Sequence, residues 1–339
     1  MATSWFTAAL DAAKRVVATK GEDFVLMQLD SDNGVTEQSR TLEKDLDYIT
    51  IRVNSSRIVN VRVLTSTFYG SLQSRVHYLH GDRGYVEFQR IIVPEKMREL
   101  DPANADKVIV VDKPIIGPIP YIGELSLELG LFAVKGTDLA APYLDLLTSI
   151  ADTAGSAYLS AAIPFVEPLR KGADLLFGND KQSTLEIGMD KNWKDISTGT
   201  WLLMRAPKDQ IDIAQLHVDF RDGTITGKNR VPFRRFPYIT FTIESSRRRD
   251  DWMTIPDLKQ SWDAVASAAR KGKTNEAEQL LRQFVLIAKW SCDLVPADAA
   301  RLAKKAEDQF ALLQPTTTVA ASASRPSLVD FSGLNLYDC

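Results

Sequence analysis

The chain has 339 residues, of which 45% are hydrophobic and 25% charged. That supplies a full apolar core, so the fold has no need of a metal or disulfide staple. A formal charge of -3 excludes global attraction to nucleic acid or an anionic membrane, leaving local patches to provide any such binding.

Two cysteines, Cys292 and Cys339, do not make a disulfide framework. They point to a reducing compartment, so a cytoplasmic location is expected. In the opening MATSWFTAALDAAKRVVATK the charges follow the apolar part, so no secretory leader is expected. The uncharged apolar run at residues 153–166 is shorter than the roughly 20 apolar residues that a bilayer span requires.

Residues 1–20 read as an amphipathic helix. Phe6, Ala9, Leu10, Ala13, Val16 and Val17 have helical spacing, with Ser4 as an N-cap. Such a helix either docks on the body or, flanked by Lys14, Arg15 and Lys20, meets a partner or a membrane surface.

Residues 21–250 then change to extended segments: FVLMQL, YITIRV, VRVLT, YVEFQRIIV, VIVV, LSLELGLFAV, TLEIGM, TWLLMRA, QLHVDF and YITFTIES. Turn signals DSDNG, HGDRG and FRDGTITG separate several of them. In the last strand Tyr238, Thr240 and Thr242 alternate with Ile239, Phe241 and Ile243, which implies one buried face. About ten short strands without interleaved helices predict an α+β fold built on a mostly antiparallel two-sheet β-sandwich. A helical segment at 138–178 interrupts the strands. Leu139, Tyr143, Leu144, Leu147 and Ile150 are its apolar stripe, and Pro164 and Pro168 break its second half.

Residues 251–313 read as a C-terminal three-helix bundle. One stripe is Leu258, Trp262, Val265 and Ala269, and a second runs through Leu280, Leu281, Phe284, Val285 and Ala288. Asn275 and Glu278 have capping-box spacing ahead of the second. Pro296 breaks the chain before a third stripe at Ala299, Leu302, Ala303, Ala306, Phe310 and Leu313. Residues 314–339 read as a flexible linker, PTTTVAASASRPS, that ends in the apolar SLVDFSGLNLYDC.

Catalytic motifs are absent. The three histidines, His77, His80 and His217, form no HExxH, and no CxxC, GxSxG, GxGxxG or P-loop accompanies them. On a strand His77 and His80 point to opposite faces. Asp30, Asp32, Asn33 and Gly34 begin like a calcium loop but lack its closing glutamate, so a turn is the better reading. No cofactor and no metal ligand set are expected.

Two binding features stand out. Arg230, Arg234, Arg235, Arg247, Arg248 and Arg249, with Lys228 and the interleaved Phe233, Phe236 and Tyr238, form a candidate anion-binding patch. Asp250, Asp251 and Glu244 can balance it as an ordinary solvated face. In the tail, Leu328, Phe331, Leu334, Leu336 and Tyr337 are large apolar residues at the end of a polar linker, which gives a short anchor with reach. It would dock on a partner or fold back on its own body. Cys339 does not fit the prenylation box, which needs three residues after the cysteine.

The strand order and the GELSLELGLFAV strand followed by a helical insertion resemble C2-like β-sandwiches over roughly residues 24–245. The calcium-binding members carry aspartates on two facing loops. Only Asp30 and Asp32 are candidates for them here, so the resemblance implies the fold without the calcium-loop motif.

These features predict a non-enzymatic adaptor that binds protein partners through the C-terminal helices and tail. A bacterial defence or stress setting is the expectation for such an architecture. A peripheral protein on an anionic membrane surface is the second expectation, and a hydrolase with a non-local site the third. Nucleic acid is not an expected partner.

Overall fold

The computed structural model describes residues 5–29, 39–59, 62–63, 66–80, 84–92, 109–135, 183–212, 215–219, 224–227 and 233–313. The helical segment expected at 138–178, the DSDNG turn and the tail at 314–339 lie outside these residues.

A helix, α1 (Trp5–Thr19), precedes β1 (Asp23–Leu29), β2 (Tyr48–Arg57), β3 (Arg62–Val63), β4 (Ser66–His80), β5 (Gly84–Ile92), β6 (Ile109–Pro120) and β7 (Leu125–Lys135). Then come β8 (Ser183–Trp193), β9 (Gly199–Ala206), β10 (His217–Asp219), β11 (Thr224–Thr226) and β12 (Tyr238–Ser246). Three helices finish the described chain: α2 (Pro256–Arg270), α3 (Thr274–Trp290) and α4 (Pro296–Leu313).

The strands make two antiparallel sheets and a hairpin. The first sheet has the order β1-β9-β12-β2-β6. The second runs β4-β7-β8, with β3 and β5 both paired to β4, and β10 pairs β11. The facing surfaces of the two sheets share one core. Ile49, Ile51, Val53, Ile239, Phe241 and Ile243 come from the first sheet, and Leu72, Val76, Leu127, Leu129, Leu131 and Ile187 from the second. The architecture is thus the α+β, two-sheet sandwich with C-terminal helices that the strand patterns predict. Two strands were not among the expected ten. β4, the centre of the second sheet, is one, and β11, inside the segment read as a turn, is the other.

The outer faces are covered as well. Over β1, β9 and the start of β12, Met27, Leu202, Met204 and Tyr238 pack against Leu216, Val218 and Ile225 of the hairpin, with Phe236 beside them. β12 therefore buries both faces along its first half, where Thr240 sits fully buried and shares a hydrogen bond of 2.8 Å with Ser55. On the second sheet α1 lies against the outer face, burying Phe6, Leu10 and Val17. The strands make room for it with two glycines. A Cβ on Gly130 would come within 2.7 Å of Phe6 Cε2, and one on Gly188 within 3.0 Å of Leu10 Cδ1. The apolar stripe of α1 is therefore spent largely on its own body, although Val16 remains exposed.

α2, α3 and α4 enclose a second core. Trp252, Trp262 and Phe284 stack with ring centroids 5.2–6.4 Å apart, surrounded by Ile255, Leu258, Val265, Leu302 and Phe310. Tyr48, on the outer face of β2, belongs to this core rather than to the sandwich. Its hydroxyl donates to Asp298 Oδ2 at 2.9 Å and accepts from the Val295 N–H at 2.9 Å. Burial, followed by the Asp298 charge, pushes the Tyr48 phenol well above its ordinary pKa, so it stays a neutral donor. Arg249 is fully buried in the same joint. Its backbone N–H donates to Asp298 at 2.8 Å, its Nε to Asp251 at 3.1 Å and an Nη to the Asp293 carbonyl at 3.3 Å.

The capping box expected at Asn275 and Glu278 does not form. The chain leaves α2 through Gly272 at φ +71°, which makes Lys273 the N-cap and draws Asn275 and Glu278 inside the helix, with no side-chain cap bond.

Two substitutions test this packing. Gly130→Ala should cost about 1–3 kcal/mol in urea unfolding and speed tryptic cleavage at Lys14 and Arg15, because the added carbon pushes α1 off the sheet. Tyr48→Phe should cost about 1–3 kcal/mol by leaving the buried Val295 N–H without its acceptor. An unchanged urea midpoint would show that the joint does not depend on that hydroxyl.

Candidate interaction surface

The five described arginines of the expected anion patch are not brought together. Arg234 and Arg235 are exposed just before β12, where the Arg234 carbonyl accepts from Arg57 at 2.9 Å and Arg235 lies 5.1 Å from the Phe236 ring centroid. Arg247, Arg248 and Arg249 follow the other end of that strand, so roughly 26 Å of extended chain separates the two groups. Arg248 is exposed. Arg249 is buried in the joint to the helices. Arg247 is tied to Glu43 at 2.7 Å and lies 3.6 Å from Asp47. Arg230 lies outside the described residues.

Asp47 is the centre of that second cluster. Its fully buried carboxylate takes a two-pronged bond from Arg40, at 2.7 and 2.8 Å, and a third from the Glu43 N–H at 2.7 Å. Burial alone would raise its pKa. The Arg40 bonds, the Glu43 amide and the Arg247 charge outweigh that and hold it below the ordinary value. This is a clasp between the 39–47 segment and the end of β12, where Arg40 also reaches Ser245 at 2.7 Å.

A polar row crosses the outer face of the second sheet. Arg75 of β4 lies 3.3 Å from Glu128 of β7, and His77 Nε2 lies 3.7 Å from the other Glu128 oxygen. Gln73 and Glu128 are 1% and 6% exposed. Asp190 of β8 stands opposite Glu128, and desolvation, then the Glu128 charge, raise its pKa. The row lies beside α1, whose Lys14 charge also acts on Asp190. His217 is half-buried in the hairpin, so His77 and His217 belong to different sheets. Among the described residues no three His, Cys, Asp or Glu side chains gather into a metal-binding group. Cys292 packs against the sandwich core.

The surface that stands out lies on α3. Its inner side is spent in the helical core through Ala277, Leu281, Phe284 and Ala288. Its outer side carries Leu286, Ile287 and Trp290 at 56%, 37% and 85% exposure. Among the described residues, the other exposed large apolar side chains are Val16 and Leu46, which stand singly on separate elements. At about 100° per residue Leu286, Trp290 and Ile287 span roughly 100° of helix surface around the exposed Gln283. Arg282 and Lys289, both exposed, line one edge. The result is an apolar strip with a basic border. The sequence carried its signal: these three residues fall off the core-facing stripe of the same helix, where polar residues would be expected.

No protein-family model, no curated protein and no solved structure matches this chain. Among the described residues no helix is long and apolar enough to cross a membrane. The tail residues Leu328, Phe331, Leu334, Leu336 and Tyr337 lie outside the described residues.

The Asp47 clasp generates a pH prediction. A carboxylate whose folded pKa is depressed stabilises the fold above its ordinary value of 3.8, and this contribution fades as pH falls through the folded pKa. Asp47→Asn should therefore lower stability by about 1–3 kcal/mol at pH 7. Its deficit relative to the parent chain should shrink between pH 4 and pH 2, as urea titrations at several pH values would show.

Proposed function

We propose that the chain is a protein-interaction module. Its sandwich is the rigid body, and the outer face of α3 is the surface on which a partner docks. The observation that supports this most is Trp290, 85% exposed beside Leu286 and Ile287. A tryptophan side chain offers about 150–250 Å² of surface. Covering the exposed part of this one is worth roughly 4 kcal/mol at about 25 cal/mol per Å², before ordering costs. Tryptophan and arginine are the side chains that most often dominate binding energy at interfaces, and both occur here.

The chemistry of the face selects its occupant. An apolar strip bordered by Arg282 and Lys289 suits a peptide segment that carries large apolar residues and acidic ones. An amphipathic helix or a short extended motif meets that description. Adaptor work of this kind needs no reactive group, which fits a molecule whose described titratable clusters are spent on holding elements together. The C2-like resemblance adds a rigid scaffold to this reading and does not by itself assign a ligand.

A photo-crosslinking side chain in place of Gln283 tests the proposal in the full chain. Irradiation in cells should give a discrete adduct with another protein, and the same group in place of the exposed Lys304 on α4 should not. Leu286→Glu with Trp290→Glu should abolish the adduct and leave the far-ultraviolet circular dichroism unchanged. Equal adducts from positions 283 and 304, or an adduct indifferent to the double substitution, would rule the face out.

A further inference from the structure

We infer that the α3 face is covered by residues 327–339 of the same chain, so that the partner site is self-occluded and opened by competition. This rests on reading that face as a docking surface, and it names the occupant in the resting molecule.

Chemistry, charge and reach point the same way. The segment SLVDFSGLNLYDC supplies Leu328, Phe331, Leu334, Leu336 and Tyr337 to match Leu286, Ile287 and Trp290. Asp330 and Asp338 are its charged residues, and it contains no lysine or arginine. That complements the Arg282 and Lys289 border. Reach is sufficient. α3 and α4 are joined by residues 291–295, and so short a connection makes them antiparallel neighbours. Leu313, the end of α4, then lies about 27 Å along the bundle from the end of α3 that carries Trp290. Residues 314–326 can span about 45 Å when extended. A random chain of that length averages roughly 20 Å end to end, so contact needs only modest stretching.

Tethering also explains how a weak motif could suffice. A short linker places the segment at an effective concentration of order millimolar, so an affinity too weak to recruit a free peptide still fills the face most of the time. A partner must outbid it, and any partner that does so carries the same apolar and acidic pattern in a tighter form.

The test uses the full chain with the photo-crosslinking side chain at position 283, prepared as an equal mixture of unlabelled and nitrogen-15-labelled protein. The expected result is a purified-protein crosslink from position 283 to a peptide within 327–339, with both halves carrying the same isotope. Arg282→Glu with Lys289→Glu should cut its yield about fivefold, a loss of about 1 kcal/mol. Phe331→Asp with Leu334→Asp should abolish it and raise the yield of the partner adduct in cells. Mixed-isotope crosslinks would mean that a second copy supplies the segment, and would overturn the inference. So would a 283 crosslink that never reaches 327–339. In that last case the intermolecular adduct still reports on the face independently, so the two proposals fail separately.

Discussion

The arrangement of the described sandwich and helices depends on a buried polar joint. Sandwich and helices each have their own apolar core, crossed by Tyr48 of β2, which sits in the helical core, and by Cys292, which packs against the sandwich. Orientation is set by Asp298, which receives Tyr48 from β2 and the Arg249 amide from just after β12, and takes a 2.6 Å bond from Arg301 within its own helix. Bonds of this kind are directional and costly to leave unmade, whereas apolar contact tolerates sliding. A fully buried arginine that meets Asp251, Asp293 and a backbone carbonyl makes the joint intolerant of partial opening. The joint thereby fixes which way α3 presents its outer side.

Polar chemistry elsewhere is organised in the same manner. The Arg40–Asp47 clasp closes the 39–47 segment on the end of β12, and the Arg75–Glu128–His77 row spans two neighbouring strands. Each joins opposite charges across neighbouring elements. Among the described residues, what remains for recognition is the α3 face, where Leu286, Ile287 and Trp290 are exposed. Placing that surface on a helix rather than a loop holds its spacing constant, which favours a partner whose own anchors are regularly spaced.

Much of this could be read from residue patterns, and the failures have physical reasons. β12 was legible because Ile239, Phe241 and Ile243 alternate cleanly. β4 was not, since STFYGSLQSRVHYLH puts Ser74 on its inner face and Gln73, Arg75 and His77 on the outer one. Its strand character comes from two flanking partners, a tertiary effect that no local pattern records. The arginine cluster misled for a different reason. Neighbours in sequence are brought together by a helix or a turn, but a strand between them carries them apart. The capping box failed because a glycine in the left-handed region moved the helix start. The α3 face is written in the sequence only as apolar residues off the stripe, which helical periodicity alone does not separate from core positions.

The position of Trp290 along the chain has a mechanical consequence. Asp293, Val295 and Asp298 all follow within eight residues, and all three are sealed in the joint. Force applied by something gripping the indole is therefore delivered at once to the buried joint, instead of fraying a loose helix end. A handle mounted so close to its anchorage transmits load to the sandwich with little give.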